Sequence, residues 1–349
     1  MNQEHTSLRV GAVVLAAAVL LRLISGGALE KIGALLAQPK VVAALMYLET
    51  GRVVRIPDTM TYPAESPAPL STAPPVIQAP ELPPATPVFT QNDLDHIEMD
   101  YGCDYAPDLA ALLTQPLHWD LAGGEARVLI LHTHTTESYT PSPGEIYEES
   151  SEYRTLDDTY NMISIGDAVA QKLESAGIGV IHDRDFHDYP SYNGSYADAR
   201  ASIEAILADN PGICLILDLH RDAADVGDGQ LDTSARINGQ ESAQLMLVVG
   251  TDAGGLYHPH WQENLALALK LQAQLERMHP GLCRPIDLRA QRFNADESPG
   301  ALLIEMGAAG NTHEEALLAA DVLAEGIIAL AKGANITEDS TTPADGPLP

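Results

Sequence analysis

Residues 127–139 read RVLILHTHTTESY, and this stretch decides the fold. Its first part, RVLILH at residues 127–132, is a short continuous apolar run. That is the pattern of a strand buried on both faces. Its second part turns polar at once, through His132, His134 and Glu137. Working outward, similar runs occur at residues 179–182 (GVIH), 213–219 (ICLILDL), 243–249 (AQLMLVV) and 300–306 (GALLIEM). Helical periodicity fills the gaps, at residues 160–176, 195–209, 262–278 and 313–331. Strands alternating with helices predict an α/β domain, a mostly parallel twisted sheet with helices on both faces.

In such sheets, ligands bind beyond the carboxyl ends of the strands. Three of these runs end in ionisable residues: His132, His134 and Glu137 after the first, Asp218, His220, Arg221 and Asp222 after ICLILDL, and Glu305 within ALLIEMG. A carboxylate on a central strand costs on the order of several kcal/mol unless it is paired or bound to a cation. Two histidines and a carboxylate, with a fourth position open, are a usual donor set for catalytic zinc. A further carboxylate would then move the proton in amide hydrolysis. Taken singly, each histidine reads as a satisfied core or surface residue, and Glu305 reads as the partner of an arginine such as Arg221. Convergence of the strand ends favours a site. The sequence holds no HExxH, GxSxG, Walker A or GxGxxG pattern.

The chain of 349 residues carries 19 Lys and Arg against 49 Asp and Glu, a formal charge of -30. Such a surface repels phosphates, which argues against nucleic acid as a partner. The cysteines, Cys103, Cys214 and Cys283, are scattered and form no CxxC pair. Neither a thiolate metal site nor a disulfide framework is indicated. Residues 10–29 are apolar apart from Arg22, about the length of a spanning helix. An uncleaved anchor is the favoured reading, a cleaved signal peptide the alternative; either places the rest of the chain outside the cytoplasm. The expected organisation is an anchor with a juxtamembrane helix at 1–50, a Pro-rich linker at 51–91, a catalytic domain at 92–335 and a disordered tail at 336–349.

The run ILHTHTTESYTPS resembles the signature of the stage II sporulation protein P family of cell-wall amidases. Further segments agree in the family's order: YNMISIGDAVAQKLESAGIGVIHDRDFHDYPSYNGSY, LDLHRDA, VVGTDAGGLYHPHWQENLALALKLQ and PGALLIEMGAAGNTHEEA. The resemblance implies the fold of zinc-dependent N-acetylmuramoyl-L-alanine amidases. It also implies cleavage of the amide joining muramic acid to the stem peptide, with possible action on peptide cross-links. The implied setting is the septal or engulfing membrane of a sporulating cell, with peptidoglycan as substrate and stage II sporulation proteins D and M as partners. A wall-binding scaffold with a dead site, which recruits or regulates another lytic enzyme, is the alternative.

Residue by residue, the resemblance makes His134 and His220 zinc ligands and Glu305 the catalytic glutamate. His132 becomes an orienting residue or the runner-up ligand. The carboxylate ligand is Glu137, or Asp157 where the wider amidases carry theirs. Arg221 would hold a stem-peptide carboxylate or brace Glu305, and Asn264 and Trp261 would line the cleft. His258 and His260 read as surface or supporting residues. Asp183, His187 and Asp188 form a polar loop with a second metal as one reading. The run QRFNADESPG departs from the family, which carries a tyrosine near Phe293, and this bears on substrate contacts.

Overall fold

The computed structural model describes residues 89–332, apart from 118–119, 122–123, 143 and 227–228. The expected anchor, juxtamembrane helix and tail lie outside the described residues, as does the linker up to residue 88. Among the described residues, no helix is long and apolar enough to cross a membrane.

The apolar runs form strands β2 (Ala126–Leu131), β5 (Gly179–His182), β6 (Leu215–Asp222), β11 (Leu245–Gly250) and β13 (Ala301–Ala308). The periodic segments form helices α3 (Met162–Ser175), α4 (Ser195–Asp209), α5 (Trp261–Met278) and α6 (His313–Lys332). Two shorter helices, α1 (Gln91–Leu94) and α2 (Leu109–Thr114), precede them. Strands β1 (Met99–Gly102) and β12 (Ile286–Arg289) widen the sheet beyond the expectation. Both are four residues long, and β1, at an edge, is largely exposed, so neither shows a long apolar run.

The seven-stranded sheet runs β1-β12-β11-β13-β6-β2-β5. Every pairing is parallel except β11 with β13. The expectation of a mostly parallel sheet holds pair by pair, but the strands form two blocks of opposite direction. The reversal follows a hairpin of β9 (Ser234–Ile237) and β10 (Gln240–Ala243), which leads directly into β11. Its turn, Asn238-Gly239, takes φ of 50° and 87°. Left-handed backbone at both central residues is what Asn-Gly supplies in a tight hairpin.

Alternation along the strands sorts side chains to two faces. Val128, Ile130, Leu215, Leu217, Leu219, Leu302 and Ile304 join a large core under α3, α5 and α6. Leu129, Leu131, Ile216 and Ala301 join a smaller core with Ala199 and Ile203 of α4. Helices therefore cover both faces. Asp218 and His220 follow Ile216 at even spacing and fall on the α4 face. Helix α3 starts cleanly because the Asn161 side chain accepts the Ile163 N–H at 3.0 Å.

Candidate metal centre

The candidate centre lies at the carboxyl ends of β2, β6 and β13, on the α4 face. Strand β6 sits between the other two, and His220 pairs in register with Glu305. After β2 the chain turns, and Thr133 anchors it: its N–H and hydroxyl donate to the two oxygens of Asp218, at 2.8 and 2.7 Å. The Glu137 N–H then donates to the His134 carbonyl at 3.1 Å. That turn sets His134 and Glu137 side by side over the end of β6. His134, Glu137 and His220 are all buried, and one donor atom from each lies within 4.8 Å of the other two.

His134 is held by rings. Tyr192 stacks on it at 4.5 Å between centroids, Tyr196 meets it edge-on at 5.6 Å, and His220 does so at 5.2 Å. Its Nδ1 is buried without a hydrogen-bond partner. Burial lowers its pKa, so the ring stays neutral, the form that binds metals. In Glu137, Oε2 accepts the Arg221 N–H at 3.2 Å and lies 3.5 Å from His220 Nδ1. Its Oε1 accepts from Arg154 at 3.1 Å. Burial works against the Glu137 carboxylate, but His220, Arg221 and His134 outweigh it and hold the pKa far below the usual range.

His220 has carboxylates on both sides. Asp218 Oδ1 stands 2.9 Å from its Nε2. Burial disfavours the charged ring, yet Asp218 and Glu137 raise its pKa well above normal. The site therefore calls for positive charge at this point. Glu305 is the opposite case. Its Oε2 is buried and has no partner, and burial pushes its pKa up to about 8.

Two imidazoles and a carboxylate, an unpartnered ring nitrogen and a demand for positive charge fit a divalent ion, and the nitrogen and oxygen donors suit zinc. The Asp218 carboxylate behind His220 is the usual support for a metal-binding imidazole.

Other expected site residues lie elsewhere. His132 points to the opposite face of the sheet, where Nδ1 donates to the Leu219 carbonyl at 3.0 Å and Nε2 meets His182 Nε2 at 2.9 Å. Asp157 is exposed, accepts the Thr159 N–H and stands outside the donor group. Arg221 is buried, its side chain donating to the Ser138 and Tyr153 carbonyls. It thus secures the Glu137 loop and presents no free fork to substrate. Asn264 is also internal, donating to the Ala295 carbonyl and accepting the Ala301 N–H. Trp261 stacks on Tyr105 and packs against the main core. His258 is buried, not at the surface. In the polar loop, Asp183 is bonded to His187, Ser202 and the Asp185 N–H, and Asp188 to Thr136 and Arg154. Among the described residues, this loop forms no metal-binding group.

The sequence reading gave no role in the site to Arg154, Tyr192 or Tyr196, placed Asp188 only in a loop with a second metal as one reading, and gave Asp218 no role as a partner of His220. Spacing carried part of the signal: Asp218 and His220 are two apart on one strand. Nothing in the sequence links Arg154 to residues 17 and 34 positions away.

Comparisons with known proteins identify the family. Residues 87–328 match the model of the family described as Stage II sporulation protein P (SpoIIP). Stage II sporulation protein P of Bacillus subtilis (strain 168) is 31% identical over 215 residues, covering 58% of this chain and 50% of the relative. The chain thus spans about half the length of that curated relative. Among solved structures, an N-acetylmuramoyl-L-alanine amidase from Clostridium difficile 630 aligns at 20% identity and a TM-score of 0.35, covering 60% of this chain and 95% of its own. The CwlD amidase of Clostridioides difficile, solved in complex with the GerS lipoprotein, aligns at 16% identity and a TM-score of 0.35, covering 58% and 98%. The family match spans well over half of the 349 residues and encloses β2, β6 and β13 with every candidate ligand, so the chain belongs to the stage II sporulation protein P family.

Proposed function

We propose that this protein is a zinc-dependent peptidoglycan hydrolase that cleaves the N-acetylmuramoyl-L-alanine amide during sporulation. The observation that carries the proposal is the buried group of His134, Glu137 and His220, with Glu305 paired in register beside His220. The family supplies the sporulation setting, and the resemblance carried by its motifs implies the substrate class.

His134, Glu137 and His220 would hold the ion, and Asp218 would steady His220 from behind. Zinc held there would supply a Lewis acid that polarises a carbonyl and acidifies water, and its charge would lower the pKa of Glu305. Glu305, whose Oε2 has no internal partner, takes the proton of the attacking water. It then returns that proton to the departing nitrogen, so acid and base are one residue. Tyr192 and Tyr196 pack against the buried His134, and the Arg154 guanidinium lies over the Tyr192 ring. The apolar run at residues 10–29 supports a membrane tether in the sporulating cell. Stage II sporulation proteins D and M are the protein partners that the resemblance implies.

Mass spectrometry of muropeptides after digestion of purified sacculi tests the reading directly. Release of intact stem peptides from muramic acid is expected. Cleavage only within cross-links would reassign the bond. No cleavage by a zinc-loaded chain would favour the scaffold role.

A further inference from the structure

We propose that Arg154 and Asp188 are positioning residues for Glu137, fixing it as a one-oxygen ligand to the divalent ion. This rests on the metal-binding reading above. Arg154 belongs to strand β4 (Arg154–Thr155), which pairs with β3 (Glu149–Ser151). Its Nη1 donates to Asp188 Oδ2 at 2.7 Å, and its Nη2 donates to Glu137 Oε1 at 3.1 Å. With Oε1 engaged, Oε2 is the oxygen that faces His220 Nδ1, at 3.5 Å.

The chain of contacts is anchored at its far end. The Asp188 side chain is 0% exposed. It also accepts the Thr136 N–H at 3.1 Å and the Thr136 hydroxyl at 2.6 Å. The hairpin is clamped on both sides of Glu137: the Ser138 N–H donates to the Tyr153 carbonyl, and the Thr155 N–H to the Thr136 carbonyl. Arg154 also lies 4.9 Å above the Tyr192 ring, and that ring is stacked on His134. One guanidinium therefore bears directly on the ligand carboxylate and, through a tyrosine, on a ligand imidazole.

Charge explains why two carboxylates share this arginine. Glu137, Asp188 and Asp218 are buried around the donor set, together with the buried Arg221 guanidinium and the partly buried one of Arg154. Asp188 offsets Arg154, so Arg154 can orient Glu137 without cancelling the negative charge that a cation needs. A planar fork can bridge two acids at fixed angles, whereas an ammonium is a single point of charge.

The test uses the full chain, with zinc as the probe, in Arg154→Lys and Asp188→Asn. Zinc dissociation constants come from competition with a chromophoric chelator, and the visible spectrum of the cobalt-substituted protein reports ligand geometry. Asp93→Asn is the control. It breaks a partly buried pair with Arg277, at 2.6 and 2.7 Å, on helices that carry no candidate ligand. Both site variants should raise the zinc dissociation constant about 10- to 100-fold and alter the cobalt spectrum. The control should lose stability and keep the parent's affinity. Should Asp188→Asn not fold, Arg154→Lys keeps both charges and decides alone. A parent that binds zinc, with site variants within about twofold of it, would overturn the inference alone, as would an equal loss in Asp93→Asn. A parent that binds no zinc would overturn the metal-binding reading and this inference with it.

Discussion

Two histidine pairs lie back to back across the sheet, and their ring geometries nearly coincide. His134 and His220 stand 5.2 Å apart at 85°, His132 and His182 5.1 Å apart at 83°. Their partners differ. In the second pair His132 gives its Nδ1–H to a carbonyl, so a neutral ring must accept at Nε2 from His182. His182 Nδ1 in turn faces Asp167 at 3.0 Å. No nitrogen of that pair lacks a partner. The first pair has an unpartnered nitrogen at His134 Nδ1, and His220 lies between the Glu137 and Asp218 carboxylates. Burial and ring packing alone therefore do not mark a metal site. What sets the first pair apart is an unsatisfied ring nitrogen beside buried negative charge.

The contrast is broken most severely at His220. His220→Ala should remove both stoichiometric zinc, read by atomic absorption, and all measurable release of dye from labelled sacculi. Glu305→Gln should keep the zinc and lower the rate by about 10²- to 10⁴-fold, the usual contribution of a general acid–base group. Zinc lost in that variant would make Glu305 a ligand.

Changes on the other face should spare the metal. His132→Leu leaves the Leu219 carbonyl and His182 Nε2 without their partner, a loss of about 1–3 kcal/mol in denaturant unfolding. Gly166→Ala should destabilise by a similar amount, since an added Cβ would come within 2.4 Å of His182 Nε2 and 2.6 Å of His132 Nε2. Zinc affinity within about twofold of the parent is expected in both, and a large loss would show that the faces are coupled.

The smallest effect concerns pH and the zinc-free protein. Glu305 has its folded pKa raised to about 8, above an unfolded value near about 4.3. Between these values the folded state keeps a proton that the unfolded chain has lost, so this group's contribution falls as pH rises. His132 is the mirror case. Burial lowers its pKa to about 3, so the unfolded chain binds the proton first, and stability falls as pH drops below about 6.5. Melting temperatures across pH should therefore show Glu305→Gln removing a fall between about pH 4.3 and 8, and His132→Leu removing a fall below about pH 6.5.

Much of the fold was legible because burial on both faces writes itself as continuous apolar runs such as VLIL and LLI. The helices announced themselves by period and length. Strands β1 and β12 did not, being short and carrying charged residues such as Asp100 and Asp287. The reversal into β11 was encoded at Asn238-Gly239 but is easily passed over beside longer signals. Within the site, His134, His220 and Glu305 stood out because each follows an apolar strand. Glu137 was favoured by its spacing, three residues after His134, and Asp157 was the alternative that the resemblance implied. Only the turn back to the His134 carbonyl brings one of them, Glu137, to the end of β6.

By itself the sequence determined the alternation of strands and helices and the kinds of side chain at the strand ends, since these depend on local polarity and spacing. The tertiary structure decided the sharing. It set His132 and His134 on opposite faces, gave Arg221 to the protein interior and brought Arg154 and Asp188 behind Glu137. The physical reason is distance: hydrogen bonds and charges act over a few ångströms, and residues far apart in sequence become neighbours only when the sheet has formed.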